Sequence, residues 1–192
     1  MSYIANPFVM VLDANVLYPF RTRDVLFTIA QQGLFRARLT EQIMDEWTFN
    51  LIKNKPAMKA SVESQAAAIR EVFDECFVTG HEVLIGGLAL PDPGDRHVLA
   101  AAIASGAQLN VTENLKDFPD DVLDTYGIVA LGADDALANT FDLFPVEGAR
   151  ALRIVRQRYD NPAFTASEFL FDLTKSGMPK LAAMARSVIE FL

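Results

Sequence analysis

One cysteine, Cys76, stands in 192 residues, so the chain can close no internal disulfide and build no cysteine-based zinc cluster. Two histidines, His81 and His97, leave little for a histidine-rich metal centre. Basic residues are also scarce: 17 Lys and Arg stand against 25 Asp and Glu, a formal charge of −8. That balance argues against a protein that coats nucleic acid through a bulk positive field. A nuclease survives the argument, because a hard-metal site needs clustered carboxylates and bound cations cancel part of their charge. No apolar run reaches the ~18 residues of a membrane span. The stretch Met1 to Val11 lacks both a basic flank and a small-residue cleavage site, so no signal peptide is expected and the expected location is cytoplasmic. Hydrophobic residues at 51% and charged ones at 22% exclude a disordered chain and suffice for one well-cored domain with an appendage, or two small ones.

The apolar run Phe8 to Leu12 has strand length and no alternation, as in a strand buried on both faces of a parallel sheet. The pattern then predicts a helix over Asp24–Gln32, a strand over Leu34–Leu39, a helix capped by Thr40 through Lys53, and a second over Ala57–Phe77. Glu82–Ile85 reads as a weak strand or loop. A turn at Pro91–Gly94 leads to a helix over Arg96–Ser105, closed by Gly106. Strands are expected at Leu109–Val111 and Ile128–Leu131, with a short helix over Pro119–Tyr126 between them. Beyond Gly132 only helices are expected: Asp134–Phe141, Val146–Arg158, Ser167–Lys175 and Pro179–Phe191. The fold class is therefore α/β with a central parallel sheet, in residues 1–132, followed by a helical extension in residues 133–192.

Asp13 ends the first strand, at the sheet edge where α/β proteins bind ligands, although a turn or cap role explains it equally well. Asn15 is placed to hold it. Glu46 shares the helix face of Ile43, Trp47, Asn50 and Leu51, where an unpaired carboxylate is costly; a salt bridge to Arg or Lys is the plainer reading. Asp95 precedes an apolar helix and reads first as its N-cap, and Asp92 as a turn former. Asp117 follows the strand that ends at Val111-Thr112. Each carboxylate alone has a structural explanation. Their common location, at strand ends and on helices that pack over one edge, does not.

These residues resemble the PIN-domain ribonucleases, in particular bacterial toxins of the VapC kind. The resemblance rests on Val11 to Pro19 around Asp13, on Glu46, on Pro91 to Ala102 around Asp95, and on Val111-Thr112 through Asp117 to Pro119, in the family's order over Phe8–Leu131. It implies a three-layer α/β/α fold, Mg²⁺ or Mn²⁺ as cofactor, RNA as substrate and a cognate antitoxin as partner, and it leaves room for a homodimer. It matches Asp13, Glu46 and Asp95 to the family's first three acids. Where many relatives carry the fourth, this chain has Asn114, and Asp117 is the remaining acid.

The expectation that follows is a metal held by Asp13, Asp95 and Asp117 beside Glu46, with Asn15, Thr112 and Asn114 in support. Such a metal would lower the pKa of a bound water and stabilise charge on the phosphodiester in the transition state. Arg21, Arg23, Arg96 and Lys116 are the candidates for RNA phosphates, each equally readable as a surface charge. Four arginines, Arg150 to Arg158, fall within nine residues, and Arg150, Arg153 and Arg156 form a basic stripe on a later helix that reads as a solvated face or as a surface for RNA or an acidic antitoxin segment. One rival is a haloacid-dehalogenase-type phosphatase, which wants a second Asp where Asn15 stands. The other is a PIN-like module that binds RNA or protein without cutting.

Overall fold

A computed structural model describes residues 7–192; the first six residues of the Met1–Val11 stretch lie outside the described residues. The chain runs β1 (Val9–Leu12), α1 (Ala14–Leu17), α2 (Phe20–Gln31), β2 (Arg36–Arg38), α3 (Glu41–Asn54), α4 (Lys59–Val72), α5 (Glu82–Ile85), α6 (Arg96–Ser105) and β3 (Leu109–Val111). It continues through α7 (Asp120–Leu123), β4 (Val129–Leu131), α8 (Ala133–Leu143), α9 (Pro145–Gln157), α10 (Ala166–Lys175) and α11 (Pro179–Ala185). The four strands form one parallel sheet in the order β2-β1-β3-β4, flanked by helices in a three-layer α/β/α arrangement.

The unbroken apolar run of β1 finds its explanation here, since Met10, Val11 and Leu12 are buried between β2 and β3. Its pairing with β3 sets Leu12 opposite Val111 and so brings Asp13 beside Thr112 across the sheet. On α6, Val98, Leu99 and three successive alanines, Ala100 to Ala102, are fully buried, and small side chains let the helix lie close on β1 and β3. Gly106 ends it with φ 64°, a left-handed conformation that favours glycine.

The structure moves several expected boundaries. α2 begins at Phe20 behind Pro19, whose fixed φ suits a helix start. The expected strand Leu34–Leu39 pairs fully only over Arg36–Arg38. The long helix over Ala57–Phe77 is interrupted: a 3₁₀ turn at Pro56–Met58 precedes α4, and the helix stops at Phe73, whose ring packs on Phe27 at 4.8 Å. Glu82–Ile85 is a short helix rather than a strand; Val83 is 86% exposed, which leaves the segment no apolar face for a sheet. The last expected helix breaks after Ala185, where Val188 leaves helical geometry.

The helical extension shares a continuous core with the sheet unit, through Leu137, Phe141, Leu152, Val155, Phe169 and Leu173. Helix α9 packs along α2, and the join is polar at its edge. Arg158 Nη1 donates to Asp24 Oδ1 and Thr28 Oγ1 at 2.8 Å each, and the Tyr159 hydroxyl donates to Asp24 Oδ2 at 2.5 Å. Burial and the bond to Asp24 both push the Tyr159 hydroxyl well above its ordinary range, so it stays a donor. The expected arginine stripe is therefore split. Arg158 is tied to α2, Arg156 donates to the Phe164 carbonyl, and Arg150 and Arg153 remain exposed.

Helices α8 and α9 approach so closely that a Cβ on Gly148 would stand 2.6 Å from Phe141 Cδ2. Phe141 is buried, so it cannot swing away into solvent. Gly148→Ala is expected to lower unfolding stability by about 1–3 kcal/mol in chemical denaturation, despite alanine's better helix propensity.

Candidate active site

Asp13 is 4% exposed and its carboxylate is fully engaged. Oδ1 accepts from the Ala14 amide at 2.6 Å, capping α1. Oδ2 accepts from Asn15 Nδ2 at 2.6 Å and from the Thr112 hydroxyl at 2.7 Å. Asn15 Nδ2 also donates to Thr112 Oγ1 at 2.9 Å, and Asn15 Oδ1 accepts from the Glu113 amide at 3.0 Å. The Asn114 amide closes the network on Thr112 Oγ1 at 3.1 Å. Asp13 thus does cap α1, and Asn15 and Thr112 both hydrogen-bond its carboxylate. Burial pushes the Asp13 carboxyl above its ordinary range, against the pull of the bonds from Thr112 and Ala14.

Asp95 sits at the head of α6, but its side chain makes no capping bond. The turn is held instead by Asp92, whose Oδ1 accepts from the Gly94 amide at 2.7 Å. The N-cap reading of Asp95 is corrected by this geometry: its carboxylate is left for another use. Burial is the largest influence on it, followed by the charges of Asp13, Asp92 and Asp117, and together they push it up to about 6 against the opposing effect of His97. Asn114 Nδ2 lies 3.4 Å from Asp95 Oδ2, too long for a strong bond. Asp117 is half-buried at the end of a 3₁₀ turn, Leu115–Asp117, that follows β3.

Glu46 lies at the border of the buried stripe of α3, which is made by Ile43, Met44, Trp47 and Leu51. The expected Arg or Lys partner is absent among the described residues. His97 Nε2 stands 3.0 Å from Glu46 Oε1 instead, and Gln42 Nε2 donates to the same oxygen at 3.2 Å. Asp13, Asn15, Glu46 and Asp95 line one cleft together with Tyr18, Asn50 and Asn54. The last three escaped the sequence reading, although Glu46, Asn50 and Asn54 recur every fourth residue, the spacing of one helix face.

Two of the four expected phosphate ligands are committed elsewhere. Arg23 is buried, donates to the Leu17 carbonyl and to Gln65 Oε1 at 2.6 Å, and lies 4.6 Å over the Trp47 ring. Burial lowers its pKa to about 10, still charged at neutral pH. Arg21 pairs with Asp172 at 2.5 Å and stacks 3.8 Å over Tyr159, fastening α2 to the helical extension. Arg96 is half-buried at the head of α6, and Lys116 is exposed beside Asp117.

The donor set is entirely oxygen, which suits a hard divalent cation. The charges of Asp13, Asp92 and Asp117 all bear on Asp95, a position where such a cation relieves repulsion. Among the described residues no three His, Cys, Asp or Glu side chains are gathered closely enough to hold an ion without adjustment. Asp13 is fixed, so that adjustment falls to Asp95 and Asp117, which no strong hydrogen bond restrains.

Among known proteins, residues 133–187 match the VapC50 C-terminal domain, and residues 9–116, more than half of the chain, match the PIN domain. A Mycobacterium tuberculosis protein named "Putative ribonuclease VapC50" is 42% identical over 92 residues, which are 48% of this chain and 54% of that relative, so the similarity spans about half of each. No solved structure matches significantly. Asp13, Glu46, Asp95 and strands β1 to β3 stand within the matched PIN segment, Asp117 and β4 lie beyond its end, and the chain belongs to the PIN domain family.

Proposed function

We propose that the protein is an endoribonuclease that hydrolyses RNA phosphodiesters with Mg²⁺ or Mn²⁺, and that it serves as the cytoplasmic toxin of a toxin–antitoxin pair. The observation that carries the reading is one cleft lined by Asp13, Glu46 and Asp95, with Asp95 pushed up to about 6 by burial first and then by the charges of Asp13, Asp92 and Asp117. The name of the mycobacterial relative agrees with it. Among the described residues no helix is long and apolar enough to cross a membrane.

In this reading Asp13, Asp95 and Asp117 hold the cation, with Glu46 at the rim of the same cleft. The bound cation supplies a water of lowered pKa and stabilises charge on the phosphodiester. Asp13 offers a carboxylate that cannot rotate, because Ala14, Asn15 and Thr112 hold both oxygens. Asn114, just after β3, stands beside Asp95 with its Nδ2 3.4 Å from Oδ2. Tyr18, Asn50 and Asn54 present hydroxyl and amide groups along the cleft, suited to ribose hydroxyls and base edges of single-stranded RNA. Lys116 and Arg96 are the cations placed to meet phosphates, which an acidic chain must supply locally. Residues 1–132 carry this chemistry, and residues 133–192 brace it.

Cleavage of single-stranded RNA should require Mn²⁺ or Mg²⁺, stop in EDTA, and fall at least about 100-fold in Asp95→Asn. RNA binding without cleavage under any divalent ion would instead favour a non-cutting module. Asp95→Asn should raise the melting temperature of the metal-free protein, since it removes a repelled charge. Asp13→Asn should lower it by about 1–3 kcal/mol of stability, because the new amide puts a donor against the donors of Asn15, Thr112 or Ala14.

The gain from Asp95→Asn should depend on pH. Folding raises the Asp95 pKa from 3.8 to about 6, so the folded wild type binds the proton more tightly and gains stability as pH falls between those values. The advantage of the variant in metal-free melts is therefore full above about pH 6 and shrinks toward pH 4. Titration calorimetry with Mn²⁺ separates the last two candidates: Asp117→Asn should weaken binding more than Asn114→Ala.

A further inference from the structure

His97 has no place in the reading so far. It is the second residue of α6, 2% exposed, two positions after Asp95. A buried imidazole with no duty beyond packing is replaceable by an apolar side chain. This one points Nε2 at Glu46 Oε1, 3.0 Å away on α3, while its Nδ1 has no hydrogen-bond partner among the described residues. Nε2 is thus the ring nitrogen that faces the Glu46 carboxylate. Gln42 Nε2 donates to the same oxygen from one turn earlier on α3. Glu46 Oε1 therefore meets nitrogens from two sides, His97 Nε2 and Gln42 Nε2, and among the described residues Oε2 meets none.

We infer that His97 is a positioning residue: through Oε1 it fixes the Glu46 carboxylate at the cleft wall and keeps Oε2 free for the cation, its water or RNA. The inference rests on the ribonuclease reading and adds the residue that sets the geometry of its second wall. Glu46 is 39% exposed on a long side chain, and without a rigid donor it would sample several rotamers. Gln42 alone cannot supply that rigidity, since it is flexible and lies on the same helix. His97 is locked in the core on a different helix, so the contact ties the α3 wall to the α6 wall that carries Asp95. The same Arg96-His97 step places one side chain half in solvent and the other inside.

The test compares wild type, His97→Gln, His97→Leu, Glu46→Gln and the double variant His97→Leu/Glu46→Gln. Three readouts apply: Mn²⁺ dissociation constant by calorimetry, single-turnover RNA cleavage, and thermal melting. Loss of a residue that orients a metal-site carboxylate typically costs 10–100-fold in affinity or activity. His97→Leu should weaken Mn²⁺ binding or slow cleavage by about 10-fold or more. His97→Gln, whose amide reaches the same place, should recover most of that loss. On the Glu46→Gln background His97→Leu should add little, because His97 acts through Glu46. Glu46 is at the rim, so that variant folds and remains informative if His97→Leu melts early. A His97→Leu protein with wild-type affinity and rate, or one whose effect adds in full on the Glu46→Gln background, overturns the inference alone. A wild type that cleaves no RNA with Mn²⁺ or Mg²⁺ overturns the ribonuclease reading and the inference with it.

Discussion

The hydrogen bond from Thr112 to Asp13 is the contact on which the site depends. It joins residues 99 apart in the chain and exists because β1 and β3 pair in parallel with Leu12 opposite Val111. A parallel register brings the C-terminal ends of two strands to one edge, so the residues that leave those strands must meet. Asp13 leaves β1, and Thr112, Glu113 and Asn114 leave β3. Asn15, Thr112 and the Ala14 amide then satisfy a carboxylate that burial would otherwise drive toward its neutral form.

The same β3 exit also joins the sheet unit to the helical extension. The Glu113 amide donates to Asn15 at the site, while Glu113 Oε1 accepts from the Ala133 amide at 2.9 Å, at the N-terminus of α8. A carboxylate there satisfies an otherwise unpaired helix amide and meets the favourable end of the helix dipole. At the other end of the join, Asp24 gathers Arg158 and Tyr159, and Arg21 reaches Asp172. Of the two arginines that looked free for phosphate, Arg21 serves this fastening, while Arg23 is bound within the sheet unit to Leu17 and Gln65.

The acidic composition and the site are connected. Asp13, Asp92 and Asp117 add to the cost of ionising Asp95 at one sheet edge, and among the described residues none of the four forms an ion pair with Lys or Arg. Proteins ordinarily pair such charges; leaving them unpaired is sensible where a cation or proton is part of the working state. Asp92 stands apart within that group, since its oxygen closes the turn that presents Asp95.

The buried strands were legible because an unbroken apolar run such as Val9 to Leu12 has few alternatives, and α6 because a run of alanine and valine closed by Gly106 has the helix signals at both ends. The acids Asp13 and Asp95 were legible as candidates, since each follows or precedes such an element. What composition and spacing left open was how each acid is engaged, and the three-dimensional arrangement decides it: Asp13 caps a helix and lines the candidate cleft, Asp95 makes no capping bond, and Glu46 meets a histidine rather than a lysine. His97 was invisible because its partner is 51 positions away on another helix and nothing local distinguishes it from a core residue. Arg21 and Arg23 were misread because exposure depends on where the helical extension and α3 pack, which no local pattern encodes. The sequence by itself determined the layered α/β class and the supply of oxygen ligands, because periodicity and residue type are local properties; the tertiary structure alone decided which ligands meet and which charges are buried, because those follow from the strand register and helix packing of segments far apart in the chain.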